Sequence, residues 1–342
     1  MAIKKSQIYS TLWNSCDALR GSMDASQYKD YVLMILFIKY LSDKESDEDS
    51  IFTIPDGCRF SDFVLLKGDD HIGEQINKKL EAIKEANAMF LNRLALPNFN
   101  DPSKLGKPKE MRETLSNLIA AFESEDLDFS KNRTADDDIL GDAYEYLMKN
   151  FAAESGKSKG QFYTPAEVSR VMAKMLHLTE FTSPSTTIYD PTCGSGSLLL
   201  RAIGETPNGA TPYGQEKDNS TASLAILNML LHGVDTATIE QGDTINSPEF
   251  TEGGQLKTFD VCVANPPFST KSWLGAAGKD DTVYHRWTAE LCPPDKCGDY
   301  AFLLHLIASM KPGTGRGACI LPHGVLFRGN AEYEIRKHII RQ

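Results

Sequence analysis

The sequence predicts an all-α domain in residues 1–152 and, in residues 153–342, an α/β domain built on a doubly wound parallel sheet. In the first part, apolar residues recur at intervals of three and four, which is the period of amphipathic helices. After the small, polar segment 152–160, short β-rich runs alternate with helical patterns. That alternation is typical of parallel strands joined by helices that cover both faces of a sheet.

The individual elements follow from the same patterns. The helical groups of the first part lie in residues 8–19, 31–41, 76–86, 111–122 and 139–151. Strands are predicted at residues 186–190, 211–215, 237–241, 259–264 and 317–321. Helices are predicted at residues 164–178, 197–202, 220–231 and 300–310, with a last one over residues 332–342 that the end of the chain cuts short.

Composition excludes several classes of protein. The longest apolar run, residues 31–38, is far shorter than the ~20 residues that cross a bilayer, so no membrane segment is expected. The N-terminus lacks the pattern of a secretory signal and the seven cysteines are scattered, which predicts a cytoplasmic protein with reduced thiols. Only Cys292 and Cys297 lie close together, without a second pair at zinc-finger spacing, so no metal site is expected.

The tetrapeptide Asn265-Pro266-Pro267-Phe268, directly after the predicted strand 259–264, has the most specific chemistry in the chain. The amide oxygen of Asn265 and the backbone carbonyl of Pro266, held open and unpaired by the prolines, can both accept hydrogen bonds from one amino group. Two acceptors favour the pyramidal form of an aromatic amine, which can attack a methyl group as methylation of adenine N6 requires. Pro267 fixes the turn and Phe268 offers a stacking face. An ordinary strand end is the alternative, since proline also ends strand pairing.

A second group of residues indicates a cofactor site at the end of the predicted strand 186–190. There Asp190 can accept a hydrogen bond from a ligand's amino group, and Glu216, at the end of the next strand, can bind both hydroxyls of a ribose. A glycine loop follows Asp190 and opens a helix, so its backbone can approach a ligand closely. The residues of this loop that we assign to the cofactor are Thr192, Gly194, Ser195 and Gly196.

The glycine loop is also compatible with two different roles. A tight structural turn gives the same residues, and a dinucleotide-binding loop is the main competing site. The third glycine of the dinucleotide fingerprint is replaced by Leu199, and no phosphate-binding lysine follows. S-adenosylmethionine has an amine, a ribose and an adenine but no phosphate, so it fits the loop better.

Two further segments complete the predicted cofactor site. Asp243, after the third predicted strand, can accept from an adenine amino group, although a surface turn accounts for it equally well. Thr164 and Pro165 are expected as the N-cap and the first residue of the helix 164–178. Aromatic rings and backbone amides just before them can close over the methionine end of the cofactor. The residues assigned to this closure are Gln161, Phe162, Tyr163, Thr164 and Pro165.

A net charge of −11 argues against tight autonomous binding to DNA, because neutralising phosphates needs clustered Lys and Arg. Acidic side chains concentrate in residues 43–49 and 123–138, which are most simply solvated loops. If DNA is the substrate, a basic partner is therefore expected to hold it.

These motifs together resemble those of the N6-adenine DNA methyltransferases, and specifically the modification subunit of type I restriction-modification systems. The resemblance covers most of the chain and rests, in order, on residues 160–165, 190–196, 216, 242–244 and 265–268. Residues 298–305 and 321–329 look like later motifs of the same family, and residues 1–152 are similar to its N-terminal helical domain.

The resemblance implies a Rossmann-like S-adenosylmethionine-dependent fold and methyl transfer to N6 of an adenine rotated out of double-stranded DNA. The motif order resembles the γ arrangement, in which target recognition lies downstream or in a separate chain. Too few residues follow Phe268 for a recognition domain. The resemblance therefore implies a specificity (S) subunit, a restriction-translocase (R) subunit in the restricting complex, and a C-terminal helical part that this chain lacks.

Two alternatives stay open at this point. A methyltransferase acting on protein glutamine can use the same pocket, because a carboxamide also presents an NH2 group. The second alternative is not an enzyme: it is a catalytically silent subunit that binds the cofactor only to shape a complex. The motif order and the helical domain favour DNA as the substrate over protein glutamine. The intact acceptor residues argue against a catalytically silent subunit.

Overall fold

The structure, a computed structural model, describes residues 9, 12–13, 25–45, 50–124, 127, 139–154, 164–181 and 183–341. By its internal packing the chain divides into two compact units, Met1–Lys159 with Ile226–Asp235, and Gly160–Ala225 with Thr236–Gln342. The contiguous boundary expected at residue 152 stays a prediction. Within the described ranges, no helix combines the length and the apolar character needed to cross a membrane.

The first unit is helical in its described residues. Its helices are α1 (Ala25–Lys44), α2 (Phe60–Val64), α3 (Ile72–Ala86), α4 (Ala88–Leu91), α5 (Pro102–Leu105), α6 (Pro108–Ala121) and α7 (Ile139–Glu154). Residues 31–38 of α1 are all buried, whereas α3 buries only the face that carries Ile76, Leu80 and Ile83. Four predicted helical groups coincide with α1, α3, α6 and α7, and most of the group at 8–19 lies outside the described residues.

The second unit is built on a five-stranded parallel sheet. Its strands are β1 (Thr187–Asp190), β2 (Thr211–Glu216), β3 (Thr238–Gln241), β6 (Val261–Ala264) and β7 (Arg316–Cys319). They lie side by side in the order β3-β2-β1-β6-β7. The five predicted strands are confirmed, with ends that differ by one or two residues, as is usual for element boundaries. The predicted α/β class is therefore confirmed.

Among the residues that the structure describes, five α-helices accompany the strands in sequence. They are α8 (Ala166–Met175), α9 (Ser197–Gly204), α10 (Asn219–Leu231), α11 (Asp299–Ala308) and α12 (Ala331–Arg341), and from Ile226 onward α10 belongs to the first unit. A short hairpin of β4 (Thr251–Glu252) and β5 (Gln255–Leu256) was not predicted. Its turn is Gly253-Gly254 with φ 60° and 79°, so the Gly-Gly pair was the available signal.

Strands β1 and β6 lie at the centre of the sheet. All four residues of β6 are buried, which matches the continuous apolar run of a strand covered on both faces. The ring of Tyr189 stacks on that of Phe259 with centroids 4.4 Å apart, just before the strands reach the site. This packing joins β1 to the segment that leads into β6.

Candidate functional site

The two predicted motifs meet where the strand order reverses. β1 ends at Asp190, and Asn265 directly follows β6. The two strands pair in parallel, with Tyr189 opposite Cys262, while β2 lies on the other side of β1. In open α/β sheets, ligands bind outside the carboxyl ends of the strands at such a switch point. The glycine loop and the tetrapeptide are therefore neighbours at one edge of the sheet.

The glycine loop after β1 takes a conformation that its glycines permit. Gly194 has φ 54° and Gly196 φ 81°, both in the left-handed region, and Gly196 is the N-cap of α9. The N–H of Gly196 donates to the carbonyl of Cys193 at 2.8 Å, and the N–H of Cys193 donates to the carbonyl of Gln215 in β2 at 3.0 Å. The Ser195 side chain is buried. These local contacts account for the turn, and contact with a cofactor stays a prediction.

Asp190 is a buried carboxylate with one oxygen already engaged. Its Oδ1 accepts a hydrogen bond from the N–H of Thr192 at 2.9 Å, and no described residue donates to Oδ2. Burial raises the pKa of Asp190 to about 7. The hydrogen bond from Thr192 opposes this rise, and the charge of Glu216 adds to it. A cationic amino group at Oδ2 would favour the ionised form, so the site suits the ligand group that the sequence predicts.

Glu216 ends β2 and contacts the glycine loop. Its Oε2 accepts from the N–H of Gly194 at 3.1 Å, and its Oε1 accepts from the N–H of Asp218 at 2.9 Å. Burial raises the pKa of Glu216, while these backbone hydrogen bonds oppose the rise. Each oxygen keeps a second lone pair, so both remain able to accept from ribose hydroxyls. The bond to Gly194, which the sequence did not indicate, joins two predicted cofactor contacts.

Asp243 closes its own turn after β3. Its Oδ1 accepts from the N–H groups of Ile245 and Asn246 at 3.0 and 3.1 Å, and its Oδ2 accepts from Lys217 Nζ at 2.8 Å. Partial burial alone would raise the pKa of Asp243, but the hydrogen bonds from Lys217 and Asn246 outweigh it and keep the pKa below its ordinary value. The structure favours the role of Asp243 in a turn, and contact with an adenine amino group stays a prediction.

The Asn265 side chain is held by a residue 101 positions earlier in the chain. Its Nδ2 donates to the hydroxyl of Thr164 at 3.1 Å. Because the nitrogen is used in this bond, the amide oxygen is directed elsewhere, and no described residue donates to it. The arrangement leaves the oxygen available as an acceptor.

The prediction that Thr164 caps a helix is wrong. α8 begins at Ala166, and the N-cap position belongs to Pro165, without a side-chain hydrogen bond to the helix. Thr164 therefore lies one residue too early for its hydroxyl to reach the free N–H groups of the first turn. Other residues predicted to contact the cofactor here lie outside the described part of the chain, namely Gln161, Phe162 and Tyr163.

The rest of the tetrapeptide presents one more acceptor and an aromatic face. No described residue donates to the carbonyl of Pro266, whereas the carbonyl of Pro267 accepts from the Thr270 hydroxyl at 3.0 Å. Phe268 is 51% exposed although the strand before it is buried. Two oxygens without donors among the described residues and an exposed ring therefore lie within four residues.

A buried ion pair joins several segments of this unit. Arg286 Nε donates to Asp281 at 2.5 Å, and both side chains are 2% exposed or less. Arg286 also donates to the carbonyls of Thr244 and Ile245, in the turn after β3, and to Nδ1 of His305 at 3.2 Å. Burial and the cation lower the pKa of His305 to about 3, so its ring is neutral. The pair was not predicted, because one Asp and one Arg in a loop carry no periodic signal.

In the part of the chain that the structure describes, no group of three or more His, Cys, Asp or Glu side chains is arranged to hold a metal ion. Cys297, from the one close cysteine pair, contacts Asp299 and Arg328 instead.

Comparison with known proteins gives consistent results. Residues 135–342 match the N-6 DNA methylase family, and residues 8–122 match the HsdM N-terminal domain. The chain is 29% identical to the type I restriction enzyme MpnII methylase subunit of Mycoplasma pneumoniae, over 97% of this chain and 70% of that protein. It is 28% identical to the type I restriction enzyme MjaIX methylase subunit of Methanocaldococcus jannaschii, over 96% and 63%.

A solved structure is similar over nearly the whole chain. It is the methyltransferase subunit of a type I restriction-modification system from Streptococcus thermophilus, with a TM-score of 0.84 and 32% identity, covering 99% of this chain and 79% of that one. The chain spans 63% to 70% of the length of the two curated relatives.

Proposed function

The chain belongs to the N-6 DNA methylase family, and from that premise we propose that it transfers a methyl group from S-adenosylmethionine to N6 of an adenine in double-stranded DNA. We further propose that it does so as the modification subunit of a type I restriction-modification complex. The observation that carries the proposal is the position of Asp190 and Asn265 at the ends of neighbouring strands. One strand end suits a methyl donor, and the other presents acceptors for an amino group.

The residues that end β1 and β2 fit S-adenosylmethionine. Asp190 is a buried residue whose Oδ2 accepts from no described donor and can take the amino group, and Glu216 keeps acceptor capacity for the ribose hydroxyls. The left-handed turns at Gly194 and Gly196 let the backbone come close to the ligand. When bound, S-adenosylmethionine supplies a methyl group on a positively charged sulfur, from which a nitrogen can take it.

Asn265 and Pro266 orient the attacking nitrogen. The amide oxygen of Asn265 and the carbonyl of Pro266 accept the two hydrogens of N6, so the nitrogen lone pair is free to point at the methyl carbon. The new nitrogen–carbon bond forms as the carbon–sulfur bond breaks onto sulfur, and the nitrogen then loses one proton to water. The adenine reaches this position by rotation out of the duplex, where Phe268 stacks on it. No covalent bond to the protein is required.

Replacing Phe268 by Ala is expected to raise the KM for DNA about 5- to 150-fold, because stacking on an aromatic side chain contributes ~1–3 kcal/mol per base. The half-exposed ring supports no core, so the fold and the affinity for S-adenosylmethionine should be unchanged. Methylation rates over a range of DNA concentrations measure the effect. Phe268→Tyr keeps the aromatic face and is the matched control; an Ala variant with the wild-type KM would remove Phe268 from base binding.

The affinity for S-adenosylmethionine is expected to fall by roughly fivefold between pH 7 and pH 6, and by roughly tenfold between pH 8 and pH 6. The pKa of Asp190 is about 7, so its carboxyl group is mostly protonated below that pH, whereas the cationic amino group binds the ionised form. Binding lowers this pKa and releases a proton, so affinity is nearly full at about pH 8 and is lost as the pH falls through the pKa. Calorimetric titrations at pH 6, 7 and 8 measure the change.

Asp190→Asn is the control for this pH dependence, because its amide oxygen can still accept from the N–H of Thr192. The variant should bind the cofactor weakly at every pH and lose most of the dependence. Any dependence that remains is assigned to Glu216, whose pKa is also raised by burial. A wild-type affinity that is equal at pH 6 and pH 8 would contradict the proposed role of Asp190.

The proposed partners are double-stranded DNA, a specificity (S) subunit and a restriction-translocase (R) subunit, and the proposed location is the cytoplasm. The net charge of −11 supports a need for the S subunit, because DNA phosphates require a basic surface that this chain lacks overall. Tight binding of a defined DNA site by this protein alone at physiological salt would contradict that need.

One assay tests the function as a whole. Full-length protein is incubated with labelled S-adenosylmethionine and duplex DNA, with and without the S subunit. Label at adenine N6 that depends on the S subunit is the expected result. Label in protein glutamine and none in adenine would replace the proposal by the glutamine alternative. Cofactor binding without transfer to either acceptor would favour the silent assembly subunit.

A further inference from the structure

The backbone next to Phe268 has a conformation that needs external support. Ser269 has φ 54°, in the left-handed region that residues other than glycine rarely adopt. Its N–H donates to Oδ1 of Asp299 at 2.6 Å, thirty positions later in the chain. The direction of a side chain depends on the backbone on both sides of it. The hydrogen bond between Ser269 and Asp299 fixes the backbone that follows Phe268, and so it affects the orientation of the Phe268 ring.

A second set of bonds holds the same short segment. The N–H of Gly298 donates to the carbonyl of Thr270 at 2.9 Å, and the Thr270 hydroxyl donates to the carbonyl of Pro267 at 3.0 Å. The backbone around Phe268 is therefore tied to the start of α11, while the ring itself stays 51% exposed. A fixed backbone under an exposed ring is the arrangement that pre-orders a stacking surface.

The carboxylate that accepts from Ser269 is fully buried and is paired with a cation. Asp299 is 0% exposed, and its Oδ2 accepts from Arg328 Nη1 at 2.9 Å and from the Cys297 thiol at 3.1 Å. The same arginine nitrogen donates to Glu332 at 3.0 Å. A buried carboxylate is stable only when it is paired in this way. Asp299 also lies in the first turn of α11, where the positive end of the helix dipole stabilises a negative charge.

The donors to Asp299 differ from those of an acidic residue that only caps its own helix. An acidic side chain that serves only its own helix accepts from that helix's free N–H groups. Oδ1 of Asp299 accepts instead from Ser269, and Oδ2 accepts from Arg328 and Cys297. Both oxygens thus face outward from α11, and one of them reaches the residue that follows Phe268.

We propose that Asp299, itself held by Arg328, is a positioning residue that sets the direction of the Phe268 ring through the backbone of Ser269. The inference rests on the proposed function, because Phe268 acts there as the surface on which the flipped base stacks. It adds a residue that touches neither base nor cofactor and acts only through the loop.

The test uses Ser269 because its side chain is exposed and can change without disturbing the core. Ser269→Pro removes the N–H that Asp299 accepts from and forbids positive φ, whereas Ser269→Gly keeps the N–H and adopts positive φ freely. In the full-length protein with its S subunit, we expect the Pro variant to raise the KM for DNA about 5- to 150-fold, as the loss of base stacking would. The Gly variant should match the wild type, and the affinity for S-adenosylmethionine should be the same in all three.

A double-mutant cycle with Phe268→Ala distinguishes positioning from general damage. If the loop acts through the ring, Ser269→Pro should change the KM for DNA by less than about twofold once Phe268 is already Ala, because the two effects then share one cause. Asp299→Asn, which retains an acceptor for the Ser269 N–H, should lie between the wild type and the Pro variant.

Three results would overturn the inference. They are a Pro variant with the same KM as the Gly variant, an undiminished effect of the Pro substitution in the Phe268→Ala background, and an equal loss of affinity for the cofactor. A wild-type protein that transfers no label to adenine is a different outcome, since it refutes the proposed function itself and the inference with it.

Discussion

Replacing Asn265 by Ala is expected to lower the rate of adenine methylation about 100-fold or more, by analogy with removal of one preorganised hydrogen-bonding group from a reaction centre. The Asn265 amide oxygen is one of two acceptors that hold the N6 hydrogens, and it has no donor among the described residues. Without it, the lone pair of N6 stays delocalised into the ring. Affinity for S-adenosylmethionine should not change, because the cofactor is assigned to the neighbouring strand end. Single-turnover methylation and calorimetric titration measure the two quantities separately.

Two variants serve as controls for this experiment. Asn265→Asp keeps an oxygen acceptor, and the Thr164 hydroxyl can donate to its second oxygen, so more activity should remain than in the Ala variant. Asn208→Ala changes an exposed asparagine of the same unit and should leave the rate unchanged. Normal methylation by Asn265→Ala would exclude the acceptor role, and weaker cofactor binding would move Asn265 to the cofactor site.

Replacing Asp281 by Ala is expected to lower the free energy of unfolding of the second unit by about 3–5 kcal/mol, because it leaves the buried Arg286 cation without its partner. In a unit of this size such a loss corresponds to a fall in melting temperature of roughly 6–20 °C. Arg286 also holds the turn after β3 through the carbonyls of Thr244 and Ile245, so cofactor binding should weaken as well. Calorimetric melting and cofactor titration test both effects.

The matched control is the exposed ion pair between Glu180 and Arg316, whose side chains are 58% and 39% exposed. Glu180→Gln should leave the melting temperature unchanged, because solvent screens an exposed pair. Equal shifts for the two substitutions would contradict the distinction between buried and exposed pairs. A double variant that replaces both Asp281 and Arg286 by apolar residues should recover part of the lost stability.

Most of the fold could be predicted from local patterns. The run Val261-Cys262-Val263-Ala264 is continuously apolar because it is a central strand covered on both faces, and the structure confirms it. α10 and α11 were located as longer segments between the predicted strands, and both are buried over most of their length. The β4–β5 hairpin was missed, because its strands of two residues are too short to show a period.

The candidate site was predictable only in part. Residue chemistry predicted Asp190, Glu216 and Asn265 as candidates, and the structure places each of them at the end of a strand or directly after it. Thr164 was misassigned because a Thr-Pro pair before a helical pattern also matches a capped helix start, and local sequence cannot distinguish the two. Asp299 lies in a predicted family-like motif but received no role, and Arg286 was not predicted, because their contacts with Ser269 and Thr244 span 30 and 42 positions of the chain.

By itself, the sequence determined the α/β class, the positions of the strands and the types of side chain that each strand end carries. These properties follow from periodicity and from the conformational limits of Gly and Pro, which act over a few residues. The tertiary structure alone decided that β1 lies beside β6, that Thr164 holds Asn265 and that Asp299 holds the loop after Phe268. Such contacts depend on strand pairing and packing between segments far apart in the chain, and no local pattern encodes which distant groups will meet.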